Sequence, residues 1–129
     1  MMESILLFIR IAGKLRKGTI MYTPSRHFID FCIAGFTFCE GAKALGDLKV
    51  GSKLKLQLEL DNPYDPDAVA LYYDGKKLGY IPKAKNSQIK QLLFFGHDVF
   101  ETSVSQIDPV QHPERQVRVV IQLINAREL

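Results

Sequence analysis

Apolar and polar residues alternate along several stretches of the chain, a period of two that predicts β-strands with one face against a core. The first stretch runs from His27 to Ile33, and Gly35 is predicted to end it. The strictest alternation covers residues 53–60, where four leucines alternate with lysine, glutamine and glutamate. Residues 41–51, between these two strands, are predicted to form a loop.

A β-hairpin is predicted to follow. Residues 68–73 and 76–81 have the composition of strands, and they are joined by Asp74-Gly75. This dipeptide accepts the positive φ angles that a type I′ turn requires at both central positions. We therefore expect the two segments to pair in antiparallel fashion.

One short helix is predicted over residues 86–95. Asn86 is a suitable N-cap, three apolar residues at helical spacing form a buried stripe, and Gly96 supplies a left-handed stop. Two further strands are predicted near residues 99–107 and 117–124, separated by a loop that contains two prolines.

These elements predict a mostly β protein: a small OB-like β-barrel of five to six strands, with one short helix before the last two strands. Closure of the barrel would remove exposed strand edges. We assign residues 27–125 to this domain and residues 1–26 to an N-terminal arm. Within the arm, residues 3–16 have apolar positions at helical spacing, so the arm is either an amphipathic helix or an added strand.

Composition changes this picture little. The 129 residues are 47% hydrophobic and 24% charged, as in an ordinary globular domain, and the net charge of +3 permits nucleic-acid contact without indicating it. Cys32 and Cys39 are predicted to be free thiols, which suits a reducing compartment. The first residues lack the features of a secretory signal, and no long apolar run predicts a membrane span, so we expect a cytoplasmic protein.

Signatures of common enzymes are missing from the sequence. It has no phosphate-binding glycine loop, no nucleophile elbow and no histidine or cysteine spacing typical of zinc. We therefore expect a non-catalytic protein without a metal or cofactor. The carboxylates of Asp61, Asp65 and Asp67 leave a metal-dependent nuclease as a minor alternative.

A binding site is better supported. Phe38, Tyr64 and Tyr80 are predicted to lie at turns or strand ends, and Lys83 follows shortly after them. Grooves for single-stranded nucleic acid combine aromatic rings, which stack on bases, with cations that follow the backbone. The opposing interpretation is that each ring belongs to the core, as most aromatic side chains in β domains do.

Four segments together resemble the HIRAN domain, which occurs alone in bacteria and fused to remodelling helicases in eukaryotes. They are FCIAGFTFCEG at 31–41, DNPYDPDAVAL at 61–71, GKKLGYIPK at 75–83 and LLFFG at 92–96. The resemblance covers about residues 27–125. It implies a modified OB-fold that holds the 3′ end of single-stranded DNA.

The resemblance also implies a role for individual residues. Phe38 and Tyr64 would hold the terminal bases, and Asp65 would accept a hydrogen bond from the free 3′-hydroxyl. Asn62 would brace the loop or touch the terminal sugar. Tyr80 and Lys83 would contact backbone phosphates.

Two positions depart from the eukaryotic DNA-binding members. Thr37 stands where they have an arginine, and Tyr80 stands where they have a histidine. Loss of the arginine removes a cation near the DNA, so we expect weaker binding. Thr37 and Lys85 are additional candidate contacts.

The function predicted from the sequence is a module that binds single-stranded DNA at a free 3′ end, in DNA repair or replication. A helicase or another repair protein is a candidate partner, and no membrane is expected. The alternative is a protein interaction domain that uses the barrel cleft or the N-terminal arm. The motif could also be purely structural, with Asn62 and Pro63 building a turn.

Overall fold

The computed structural model describes residues 22 and 24–125. Six strands form its framework: β1 (His27–Cys32), β2 (Lys53–Leu58), β3 (Val69–Tyr73), β4 (Lys76–Tyr80), β5 (Phe100–Ile107) and β6 (Val117–Leu123). The α-helices are α1 (Gly41–Ala44) and α2 (Ser87–Phe94), and single 3-10 turns lie between strands.

The six strands form one antiparallel sheet in the order β1-β6-β5-β2-β3-β4. The sheet curls until its first and last strands meet at a single bridge just beyond the end of β1. There the Ala34 amide donates to the Tyr80 carbonyl over 2.9 Å, and the Tyr80 amide donates to the Ala34 carbonyl over 2.8 Å. The predicted mostly β, OB-like barrel with a short helix before the last two strands is confirmed.

The core fills the inside of the curl. Inward-facing apolar side chains of all six strands contribute to it, as the alternation predicts, and Ile89 of α2 adds one fully buried side chain. Leu60 was predicted to extend β2, but β2 ends at Leu58 and Leu60 is exposed. Within the described part of the chain, no helix has the length and apolar character needed to cross a membrane.

Several local predictions are confirmed. The β3–β4 turn has positive φ at Asp74 and Gly75, and Gly96 has a φ of +86° where α2 ends. Cys32 and Cys39 are free thiols, although Cys39 lies beyond β1 rather than on it. The predicted helix or strand over residues 3–16 lies outside the described residues.

Two local predictions are wrong. Residues 41–51, predicted to be a loop, contain α1 and a 3-10 turn, because the ring of Phe36 packs directly against Gly41 and fixes the start of the helix. Asn86 does precede α2, but its side chain makes no capping hydrogen bond. It is nearly fully buried and bonds elsewhere.

Closure of the barrel depends on a glycine at position 79. Gly79 has a φ of +151°, and a Cβ atom there would collide with the carbonyl oxygen of Ala34 and stand 2.6 Å from Cγ2 of Ile33. We predict that Gly79→Ala lowers the free energy of unfolding by about 1 to 3 kcal/mol, because it adds backbone strain and pushes the bridging strands apart. Urea denaturation measures the change.

Gly46→Ala is the matched control, since a Cβ atom at Gly46 would have no heavy atom within 4 Å. Its free energy of unfolding should stay near that of the wild type. Equal destabilisation by the two substitutions would contradict the account of closure.

Candidate nucleic-acid interface

A cleft of about 930 Å³ opens where the two ends of the sheet meet. The six principal candidates from the sequence all line it: Phe38, Asn62, Tyr64, Asp65, Tyr80 and Lys83. The additional candidates, Thr37 and Lys85, do not line it. Residues that sequence reasoning did not select complete the wall, among them Ala34, Lys77 and Tyr72.

Phe38 projects from a 3-10 turn that follows the closing bridge. Gly35, with a φ of +70°, turns the chain out of β1, and the Phe38 amide donates to the Gly35 carbonyl over 3.0 Å. Phe36 is buried at the base of this turn, whereas Phe38 is 88% exposed. The buried ring therefore anchors the turn and leaves the second ring at the cleft surface.

The loop between β2 and β3 presents Tyr64. The Oδ1 atom of Asn62 accepts hydrogen bonds from the amides of Tyr64 at 2.8 Å and Asp65 at 3.0 Å, which fixes the loop as an Asx turn. Tyr64 is 87% exposed. The side chain of Asn62 thus braces the loop, and the phenol ring points away from the core.

Asp65 is held by two hydrogen bonds, one to each carboxylate oxygen. Its Oδ1 accepts from the Asp67 amide over 2.9 Å, and its Oδ2 accepts from Nδ2 of Asn86 over 2.8 Å. Asn86 is only 2% exposed, so the donor is fixed by its surroundings. Since a carboxylate oxygen can accept more than one hydrogen bond, Asp65 keeps capacity to accept from a ligand.

Glu59 connects the loop to β4. Its carboxylate accepts hydrogen bonds from the Tyr80 hydroxyl at 2.8 Å and from Nδ2 of Asn62 at 3.1 Å, and it forms an ion pair with Lys77. Burial raises the pKa of the Glu59 carboxyl, but the three donors together outweigh burial and hold this pKa below its usual range. The shift of Lys77 has the opposite sign, because the hydrogen bond to Glu59 favours the charged ammonium and raises the pKa of Lys77.

The cations near the cleft differ in their availability. Lys77 is neutralised by Glu59, and its ammonium also donates to the Tyr80 hydroxyl over 3.0 Å. Lys85 donates to the carbonyl of Asp30 over 2.8 Å. Lys83 is exposed in the cleft wall, and its ammonium has no hydrogen bond or ion pair to any other described residue. Lys83 is therefore the cation of this wall that can meet an anionic ligand.

Sequence reasoning missed Glu59, Lys77 and Asn86. Glu59 and Lys77 occupy polar positions at or beside strands, where a solvent-exposed charge is the ordinary expectation, and only the register of β2, β3 and β4 brings them together. The position of Asn86 before a helix predicted that its side chain caps that helix, whereas the side chain donates to Asp65 instead. Among residues 22 and 24–125, no group of three or more histidine, cysteine, aspartate or glutamate side chains could hold a metal ion.

Comparison with known proteins assigns this fold to a family. The model of the HIRAN domain family matches residues 27–123. A crystal structure of a protein from Lactobacillus plantarum is 21% identical, with a TM-score of 0.59, over 77% of this chain and 97% of that chain. The crystal structure of the HIRAN domain of human HLTF is 13% identical, with a TM-score of 0.56, over 77% of each chain. No curated protein sequence matches the chain.

The buried hydrogen bond from Asn86 to Asp65 can be tested by truncation. We predict that Asn86→Ala lowers the free energy of unfolding by about 1.5 to 3 kcal/mol, because a buried hydrogen bond to a charged group is lost. Lys90→Ala removes the partly exposed ion pair between Lys90 and Asp67, which spans 3.5 Å, together with the contact of Lys90 with the Phe94 ring, and should cost about 1 kcal/mol or less. If the two variants lose comparable free energy of unfolding in urea denaturation, the buried Asn86–Asp65 hydrogen bond stabilises the fold no more than the Lys90–Asp67 ion pair does.

The ionised state of Glu59 makes stability depend on pH. Because the folded pKa lies below the ordinary value of 4.5, the stabilisation is present above that value and is lost as pH falls through the folded pKa. We predict that Glu59→Gln lowers the free energy of unfolding by about 1 to 3 kcal/mol near pH 7. The difference in the free energy of unfolding between variant and wild type should be smaller at pH 3.5.

Urea denaturation at the two pH values measures this difference. Glu101→Gln is the control, since the Glu101 carboxylate is in exposed ion pairs with Arg26 and Lys53. If Glu59→Gln lowers the free energy of unfolding by the same amount at both pH values, the claim that the ionised Glu59 carboxylate stabilises the fold is contradicted.

Proposed function

Because the chain belongs to the HIRAN domain family, whose members are in general DNA-binding modules, we propose that it is a non-catalytic module that binds single-stranded DNA at a free 3′ end. The observation that carries the proposal is the composition of the cleft. Two almost fully exposed aromatic rings, Phe38 and Tyr64, line one hollow together with the anchored carboxylate of Asp65.

Exposed rings at a cleft suit unpaired bases. Each base stacked on an aromatic ring contributes roughly 1 to 3 kcal/mol. Phe38 and Tyr64 lie on braced turns, so their backbones lose little freedom when a ligand binds. The two rings are therefore the groups that would hold the terminal bases.

Asp65 provides the basis for end recognition. An ionised carboxylate only accepts hydrogen bonds, so it favours a 3′-hydroxyl, which can donate, and repels a 3′-phosphate. The hydrogen bonds from Asp67 and Asn86 fix where its oxygens lie. A hydroxyl placed at the inner end of the cleft would find this acceptor already oriented.

The backbone phosphates would meet Lys83 and the adjoining wall at Tyr80. The Tyr80 hydroxyl is occupied by Glu59 and Lys77, so its ring is the part that faces a ligand. With Lys77 neutralised and threonine at position 37, few free cations line this cleft. We therefore expect modest affinity with a shallow dependence on salt.

We propose that this activity serves DNA repair or replication, and the resemblance to DNA-binding members supports this proposal. We propose that a helicase or another repair protein is its partner and that it works in the cytoplasm, where free thiols such as Cys32 and Cys39 stay reduced.

End recognition is tested with two oligonucleotides that differ only in a 3′-hydroxyl or a 3′-phosphate. We predict that the wild type binds the hydroxyl form more tightly in fluorescence anisotropy and that Asp65→Asn, which removes the charge, abolishes most of the difference. Tyr64→Ala should weaken both forms by about 1 to 3 kcal/mol, since stacking does not depend on the end group.

The control for Tyr64→Ala is Tyr22→Ala, which removes another exposed phenol outside the cleft wall and should leave both affinities unchanged. Equal affinity of the wild type for the two ends would contradict end recognition. Binding that survives Tyr64→Ala unchanged would contradict stacking in this cleft.

A further inference from the structure

A second cleft of about 920 Å³ lies on the outer face of β2 and β3. Its wall includes Lys53, Lys55 and Gln57 of β2 and Tyr72 and Tyr73 of β3. Tyr72 also lines the first cleft. Because one side chain borders both hollows, the two clefts are neighbours on the sheet surface.

The strand register places Tyr72 between two lysines. Tyr72 pairs with Lys55 on β2 and with Lys77 on β4. Residues directly opposite one another in antiparallel strands share a face, with their Cβ atoms about 4.5 to 5.5 Å apart. A row of cation, aromatic ring and cation therefore runs across the three strands on the outer face.

The two lysines of this row are in different electrostatic states. Lys77 is paired with Glu59. Lys55 is exposed, and its ammonium has no hydrogen bond or ion pair to another residue of the described chain. Lys53, also in this wall, pairs with Glu101 over 3.2 Å, and Asp74 at the β3–β4 turn is the carboxylate of the wall. Lys55 is thus the cation of the second cleft that is available to an anion.

We propose that the second cleft binds the nucleotides that lie 5′ to the terminal ones, with Tyr72 against a base or sugar and Lys55 at a backbone phosphate. The inference rests on the proposed function, since a strand whose 3′ end occupies the first cleft can continue only in the 5′ direction. An aromatic ring beside a free cation is the combination that sequence-tolerant single-strand grooves use. Since both clefts are lined by Tyr72, a strand that leaves the first cleft past this ring reaches the second.

The test compares oligothymidylates of four and twelve nucleotides, both with a free 3′-hydroxyl. Lys55 lines only the second cleft, so Lys55→Ala should leave the affinity for the tetranucleotide unchanged and weaken the dodecanucleotide about fivefold at 0.1 M salt, the effect of about 0.7 counterions lost per phosphate contact. The slope of log affinity against log salt for the longer strand should become shallower by about 0.7.

Lys49→Ala removes an exposed lysine outside both walls and should change neither affinity. The inference is overturned if the dodecanucleotide binds Lys55→Ala as tightly as it binds the wild type, or if Lys49→Ala weakens it equally. Wild-type protein that binds neither strand would instead overturn the proposed function, so the two failures are distinguishable.

Discussion

The pair of hydrogen bonds between Ala34 and Tyr80 is the constraint on which the first cleft depends. These bonds join the two ends of a curled sheet, and they do so at the point where β1 gives way to the Phe38 turn. The same bonds fix the end of β4, from which Tyr80 and Lys83 reach the cleft. Without this closure, the Phe38 turn, the loop between β2 and β3 and the end of β4 would not be held in fixed positions relative to one another. The glycine at position 79 is required because the two backbones approach too closely for a side chain.

A second layer of polar contacts orients the cleft surface. Glu59 holds Asn62, Asn62 holds the amides of Tyr64 and Asp65, and Asn86 holds the carboxylate of Asp65. The exposed groups are therefore supported by donors and acceptors that lie beneath them. Such preorganisation favours binding because less conformational freedom is lost when the ligand arrives.

Much of the fold could be predicted from the sequence because its signals are local. The alternating leucines of β2 and the Asp74-Gly75 turn depend on neighbours in the chain, and both predictions are confirmed. The α1 helix has four residues and exists because Phe36 packs on Gly41, a contact that no periodic pattern reveals. The partners of Glu59 and Asn86 likewise depend on tertiary structure. The six principal site candidates could be named from the family resemblance that the sequence motifs carry, whereas Tyr72 and Lys55 needed the strand register.

The family match and the structural neighbours agree on the fold, and the cleft adds the chemistry particular to this chain. The most direct test of the central claim is a titration of isotopically labelled protein with a single-stranded oligonucleotide that has a free 3′-hydroxyl, followed by amide chemical shifts. The account predicts that the largest changes fall in residues 34–39, 62–68 and 80–83. Changes that all fall outside these three segments, or no changes at all, would contradict it.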